Sequence, residues 1–236
     1  MRLCAFYDGD FQLQSHFFTR LLANGTKDLS YGENGVVYLS ESTMVAAYTV
    51  TPNQDIWWYG SRRRELNGSP ILTSFRYYLL AHLLKEGTPD MSIGAKGEIE
   101  LASGITENVK DSIFDAESRL LLLKEIQTGF RKTVTLSRLK TNGALDAAFG
   151  TQGTAVLSDE IPSGFMSGAI FQFPMHVYSD SGGSHYIFLR YFHSIKGSMG
   201  RIFHVSADGV VDAQFSSELF FLGDMFSVSA WMVGIY

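Results

Sequence analysis

The stretch SRLKTNGALDAAFGTQGTAVL, Ser137 to Leu157, decides how the chain is read. It follows on an apolar segment, Val134–Leu139, whose residues favour an extended chain. Asn142-Gly143 comes next, a pair that supplies the positive φ of a tight turn. Asp146 stands three residues after Gly143, and Phe149 three after that. Gly150 and Gly153 then let the chain reverse before a second extended run, Thr154–Leu157.

The same columns recur. FTRLLANGTKDLSYGENGVVYL (18–39), LAHLLKEGTPDMSIGAKGEIEL (80–101) and a degenerate copy from Ile202 (202–222) align with residues 136–157 without gaps through the motif. The first glycine is Gly25, Gly87, Gly143 or Gly209, and the aspartate is Asp28, Asp90, Asp146 or Asp212. The bulky column holds Tyr31, Ile93, Phe149 and Phe215. The later glycines are Gly32, Gly94 and Gly150, then Gly35, Gly97 and Gly153; the fourth copy has Ser216 and Leu219 there. The interval is about 60 residues, and self-similarity at a near-constant spacing is the signature of a repeat architecture.

Each aspartate is placed to accept backbone N–H bonds and cap a short turn, with the bulky residue packed inward. Apolar segments precede the motifs at Phe18–Leu22, Leu79–Leu84 and Ile202–Val205. Further strands are expected at Met44–Val50, Ile56–Tyr59, Ile71–Tyr78, Ser112–Phe114, Leu120–Lys124, Phe130–Leu136, Ala169–Phe173, His176–Tyr178 and Tyr186–His193. About four short strands per repeat is the arithmetic of a β-propeller blade. The reading is therefore all-β: one domain, 1–236, of four repeats. It forms a four-bladed ring or half of an eight-bladed ring made by two chains. Met1–Tyr7 and Phe226–Tyr236 would share one blade, covering edges otherwise exposed.

The motif resembles the delta-60 repeat of bacterial proteins. That pattern is an apolar strand ending in Ala-Arg-Leu, then Asp-Gly-x-x-Asp-x-x-Phe-Gly, a further Gly and a Val-rich strand. Ser137–Leu157 is the copy most like it, and the resemblance extends over nearly the whole chain. It implies propeller-like blades and no reaction, so it carries over no catalytic residue.

Composition narrows the function. The 236 residues carry a formal net charge of −5, too acidic for a duplex-nucleic-acid surface. Cys4 is the single cysteine and excludes an intrachain disulfide and a cysteine zinc site. No segment approaches the roughly 18 apolar residues of a membrane span, and the apolar run of MRLCAFYDGDF is short for a signal-peptide core. A cytoplasmic protein, or one exported without a cleavable signal, is expected.

No catalytic residues, cofactor or metal site are expected. Ser137-Arg-Leu-Lys140 has Ser-x-x-Lys spacing, but a strand separates side chains that the acyl-enzyme mechanism needs together. Arg20, His82, Arg138 and His204 share a column. They would either ring an anion or each pair with a carboxylate or carbonyl of its own blade. The four aspartates would converge on a cation only if they were not consumed by local capping.

Binding residues are sought where the repeat is broken. Trp57, Trp58, Tyr59, Arg62, Arg63 and Arg64 combine the residue types enriched at interface hot spots, with the arginines read as a solvated loop; as strand neighbours Trp57 and Trp58 point to opposite faces, and packing between blades would bury both. His185 closes the loop Tyr178–His185, either a ligand contact or a plain hairpin connection. The functional expectation is a non-enzymatic module that binds another protein by a propeller face or rim, as an accessory or toxin-neutralising partner, with homodimerisation open. The alternative is a glycan-binding lectin, which needs an aromatic recurring in every repeat. Trp57, Trp58 and Trp231 do not recur that way.

Overall fold

A computed structural model describes residues 2–7, 13–40, 43–65, 74–106, 108–128, 131–158, 176–193, 197–215 and 220–221. The expected strand Ala169–Phe173, the C-terminal segment 226–236 and Trp231 lie outside the described residues.

The described chain is all-β apart from one helical turn, α1 (Ser103–Thr106). The first sheet is β1 (Arg2–Tyr7), β2 (Leu13–Thr19) and β3 (Val36–Tyr38). The second is β4 (Met44–Val50), β5 (Ile56–Glu65), β6 (Ser74–Leu83) and β7 (Glu98–Glu100). The third is β8 (Val109–Phe114), β9 (Leu120–Thr128), β10 (Arg131–Leu139) and β11 (Thr154–Ser158). The fourth is β12 (His176–Ser179), β13 (His185–His193), β14 (Gly197–Val205) and β15 (Phe220–Phe221). Strands consecutive in sequence are neighbours in every sheet.

Two expectations are corrected. Ile71–Tyr78 and Leu79–Leu84 are not separate strands: the described part is the single strand β6, which turns only at the motif glycine. Arg62–Arg64 are not a loop. They continue β5, register-paired with Tyr77, Arg76 and Phe75 of β6.

The repeat motif connects the last two strands of each sheet. Its first glycine has φ of +83° at Gly25, +86° at Gly87, +78° at Gly143 and +85° at Gly209. Its amide donates three residues back, as Gly87 does to the Leu84 carbonyl at 2.7 Å. Each aspartate amide then returns to the strand just left: Asp28 to Arg20, Asp90 to His82, Asp146 to Arg138 and Asp212 to His204, at 2.8–3.0 Å.

The chain divides into two units, 1–122 with 138–146 and 123–137 with 147–236. In the first unit the Ile56–Tyr59 and Leu79–Leu83 stretches of the second sheet are buried on both faces. Strand alternation sends Ile56 and Trp58 of β5 to one side, and Trp57 and Tyr59 to the other. Ile56, Trp58, Leu79, Ala81 and Leu83 pack with Phe18, Tyr31 and Leu39 of the first repeat. Trp57, Tyr59 and Leu80 pack with Leu101, Leu120, Leu122 and Leu139. β4 also runs beside β8, so the first strands of the second and third sheets are neighbours. In the second unit Val177, Ile187, Phe188, Leu189, Phe203 and Val205 are buried, and Phe149 meets His185 edge-on at 5.8 Å.

Candidate functional site

In Asp28, Asp90 and Asp212 the two carboxylate oxygens have separate tasks. Asp28 Oδ1 accepts the Ser30 amide at 3.0 Å and its hydroxyl at 2.6 Å, while Oδ2 accepts Arg20 Nε at 2.8 Å. Asp90 Oδ1 does the same with Ser92, and Oδ2 meets His82 Nδ1 at 2.9 Å. Asp212 Oδ1 caps the Gln214 and Phe215 amides, and Oδ2 lies 3.4 Å from His204 Nδ1. Asp146 Oδ2 takes Arg138 Nε at 2.9 Å in a buried pair. In Asp28, Asp90 and Asp212 one oxygen orders the loop; the other clamps it to the strand eight residues earlier.

The electrostatics follow. The Ser92 hydroxyl first, then His82, hold the Asp90 carboxyl down at about 2. Ser30 lowers Asp28, and the Phe215 amide leads in lowering Asp212. Burial pushes the Tyr31 phenol up to about 12. Arg20, His82, Arg138 and His204 each meet their own aspartate. Among the described residues no His, Cys, Asp and Glu cluster has the make-up of a metal site.

The sequence-selected binding residues separate into an interior group and a strand hairpin. Trp57, Trp58 and Tyr59 are at most 6% exposed, so they form no surface patch. Strand alternation in a stretch covered on both faces leaves them no solvent side. Trp57 stacks on His82 at 4.2 Å, with planes 16° apart. Arg62 makes a bidentate pair with Glu98 at 2.9 and 2.8 Å and donates to Thr43 Oγ1 at 3.0 Å. Arg63 is exposed, and Arg64 lies on β5 beside it. His185 is fully buried rather than presented on a loop. It is the register partner of Ser179, whose hydroxyl lies 2.7 Å from its Nδ1. Asp180 Oδ1 accepts the Gly182 and Ser184 amides, closing that hairpin. Ser137, of the Ser-x-x-Lys spacing, is buried against Thr154 Oγ1 at 3.0 Å.

No family model matches the chain, and no curated protein matches it.

Two features went unread in the sequence. The first is the stitching of one repeat loop to the next. Gly32 N–H donates to the Glu86 carbonyl at 2.8 Å, and Gly150 N–H to the Asp208 carbonyl at 2.7 Å. A Cβ on Gly87 would stand 2.6 Å from Val37 Cγ2 and 3.0 Å from Tyr31 Cε2. On Gly143 it would touch Ile99 and Leu101 at 3.0 Å, and on Gly209 it would collide with the Gly150 amide. Each apex therefore lies under the preceding repeat, whereas Gly25 has nothing within 4 Å. The column of glycines was visible, but which neighbour each one met was not.

The second is an apolar pair. Leu29 and Met91 occupy the same motif column, directly after the aspartate, and are 67% and 70% exposed. They sit on the two loops that the Gly32–Glu86 bond holds together. Among the described residues no helix is long and apolar enough to cross a membrane.

Proposed function

We propose that the chain is a propeller of the delta-60 type, a non-enzymatic module that binds a partner protein as an accessory or neutralising subunit. The fold reading is supported by consecutive strand order in every sheet, by the Ile56–Tyr59 and Leu79–Leu83 stretches of the second sheet being buried on both faces and by the β4–β8 approach. The first sheet has three described strands where the others have four. On this reading the segments Met1–Tyr7 and Phe226–Tyr236 share one blade, which closes the ring within one chain. A mass twice 26.2 kDa in dilute solution would instead favour the eight-bladed, two-chain ring.

The binding reading is carried by one observation, the exposed Leu29 and Met91 at equivalent places on adjacent, mutually bonded loops. Large apolar side chains on a fixed surface bind by removing that area from water. Purification from the native host tests it. A stoichiometric protein partner is expected, and its loss is expected on Leu29→Glu with Met91→Glu. A chain that emerges alone at native concentration overturns the reading.

A further inference from the structure

The two middle strands of the second sheet run past their neighbours. β5 pairs with β6 down to Glu65↔Ser74, but β7 pairs only at Leu79↔Glu100, Leu80↔Ile99 and Ala81↔Glu98. The Leu101 amide makes one more bond, to the Tyr78 carbonyl at 2.9 Å, and the chain then turns into α1. Ser74–Tyr77 of β6 thus form a sheet edge with no described strand beside it.

The direction of that edge can be read. His82 N–H donates to the Gly97 carbonyl at 3.0 Å, and the Tyr78 carbonyl accepts Leu101. Even-numbered residues of β6 therefore turn their peptide groups toward β7. By the two-residue period of a strand, Arg76 turns its N–H and C=O the same way. A groove of about 700 Å³ lies there, lined by Arg76, Tyr77, Tyr78, Glu100, Ser103 and Asn108.

The edge is also charged. Arg63 and Arg76 are direct register partners, and both are exposed. Like charges in that relation oppose pairing. Arg76 Nη1 donates to Ser61 Oγ at 2.8 Å and to Met44 Sδ at 2.9 Å, both neutral. No described carboxylate pairs with either arginine. Arg62, next along β5, is already held by Glu98.

We propose that this edge takes an extended acidic segment of a partner protein as an added strand. The segment's main chain bonds the Arg76 N–H and C=O, and one of its carboxylates reaches back over β6 to the Arg63 and Arg76 guanidiniums on that face, Arg76 leaving Ser61 and Met44 to meet it. Main-chain bonds supply the extended conformation, and the arginine pair selects acidic residues. The proposal specifies the partner of the interaction module and rests on that reading.

Fluorescence anisotropy with the full chain tests it, using a fluorescein-labelled peptide Thr-Val-Glu-Val-Glu-Val-Thr. Saturable binding is expected, weakened about tenfold by Arg76→Glu or Arg63→Glu, as for loss of one charge-assisted contact. A peptide with Lys for Glu, and one N-methylated on its central amides, are expected not to bind. Equal binding of the Glu and Lys peptides, indifference to N-methylation, or indifference to both substitutions overturns the proposal. So does a wild-type dimer that Arg63→Glu disperses, because the occupant is then a second copy. A native partner that the peptide does not displace overturns this proposal and leaves the module standing. Absence of any native partner overturns the module, while the titration still decides the edge.

Discussion

The Gly32 amide donates to the Glu86 carbonyl at 2.8 Å, tying the first repeat loop to the turn of the second. Gly87, one residue on, is pressed against Val37 and Tyr31. The loop that ends one sheet is thereby the seat for the turn that ends the next.

This seating predicts unequal costs for equal substitutions. Gly25→Ala and Gly87→Ala both force a positive φ on alanine, costing about 1 kcal/mol. Gly87→Ala also drives Cβ into Val37 and Tyr31, adding about 1–3 kcal/mol of overpacking. Urea unfolding should show Gly87→Ala as clearly the weaker variant. Equal midpoints would mean that the seating contributes nothing.

The motif aspartates predict an acid-sensitive fold. The folded Asp90 carboxyl titrates at about 2, against roughly 3.9 when unfolded. A lowered folded value stabilises above the unfolded value and loses that contribution as pH falls toward the folded one. The urea midpoint should therefore drop between about pH 4 and 2. Asp90→Asn should lower the midpoint at neutral pH and flatten the drop. A variant with the wild-type pH profile would show that the His82 and Ser92 contacts are not felt.

Adjacent arginines on β5 should behave differently. Arg62→Ala removes the bonds to Glu98, Thr43 and Tyr77 and strands Glu98, and is expected to cost about 1–3 kcal/mol. Arg63→Ala touches an exposed side chain and should stay within about 0.5 kcal/mol. Thermal unfolding of the two variants distinguishes them, and reversal of the order would contradict the strand register.

The interior tryptophans carry the heaviest prediction. Trp58 is 1% exposed, between the first and second repeats. Trp58→Ala should cost about 3–5 kcal/mol, measured as a fall in urea midpoint. A near-neutral result would place the ring outside the core.

Much of this fold is legible in local chemistry. Asn-Gly and Asp-Gly demand positive φ, and the aspartate column announces a capped turn, so the recurring motif marks the same connection in each sheet. β4 is the alternating segment Met44–Val50 as read. What was hidden depends on register. Trp57, Trp58 and Tyr59 carry the composition of a binding surface, yet a stretch of sheet covered on both faces turns that composition into core. Arg62-Arg63-Arg64 has the composition of a solvated loop, and only pairing with β6 shows one arginine clamped and the next exposed. Nothing in the sequence marks the Leu29–Met91 pair, because an apolar residue after a capping aspartate looks like core until its exposure is known.

The most direct test is purification of the native chain beside the Leu29→Glu, Met91→Glu variant, followed by native mass spectrometry. The wild-type chain should carry one stoichiometric protein partner, and the variant, equally folded by circular dichroism, should carry none. A wild-type chain without a partner, or a variant that retains it, would contradict the interaction module.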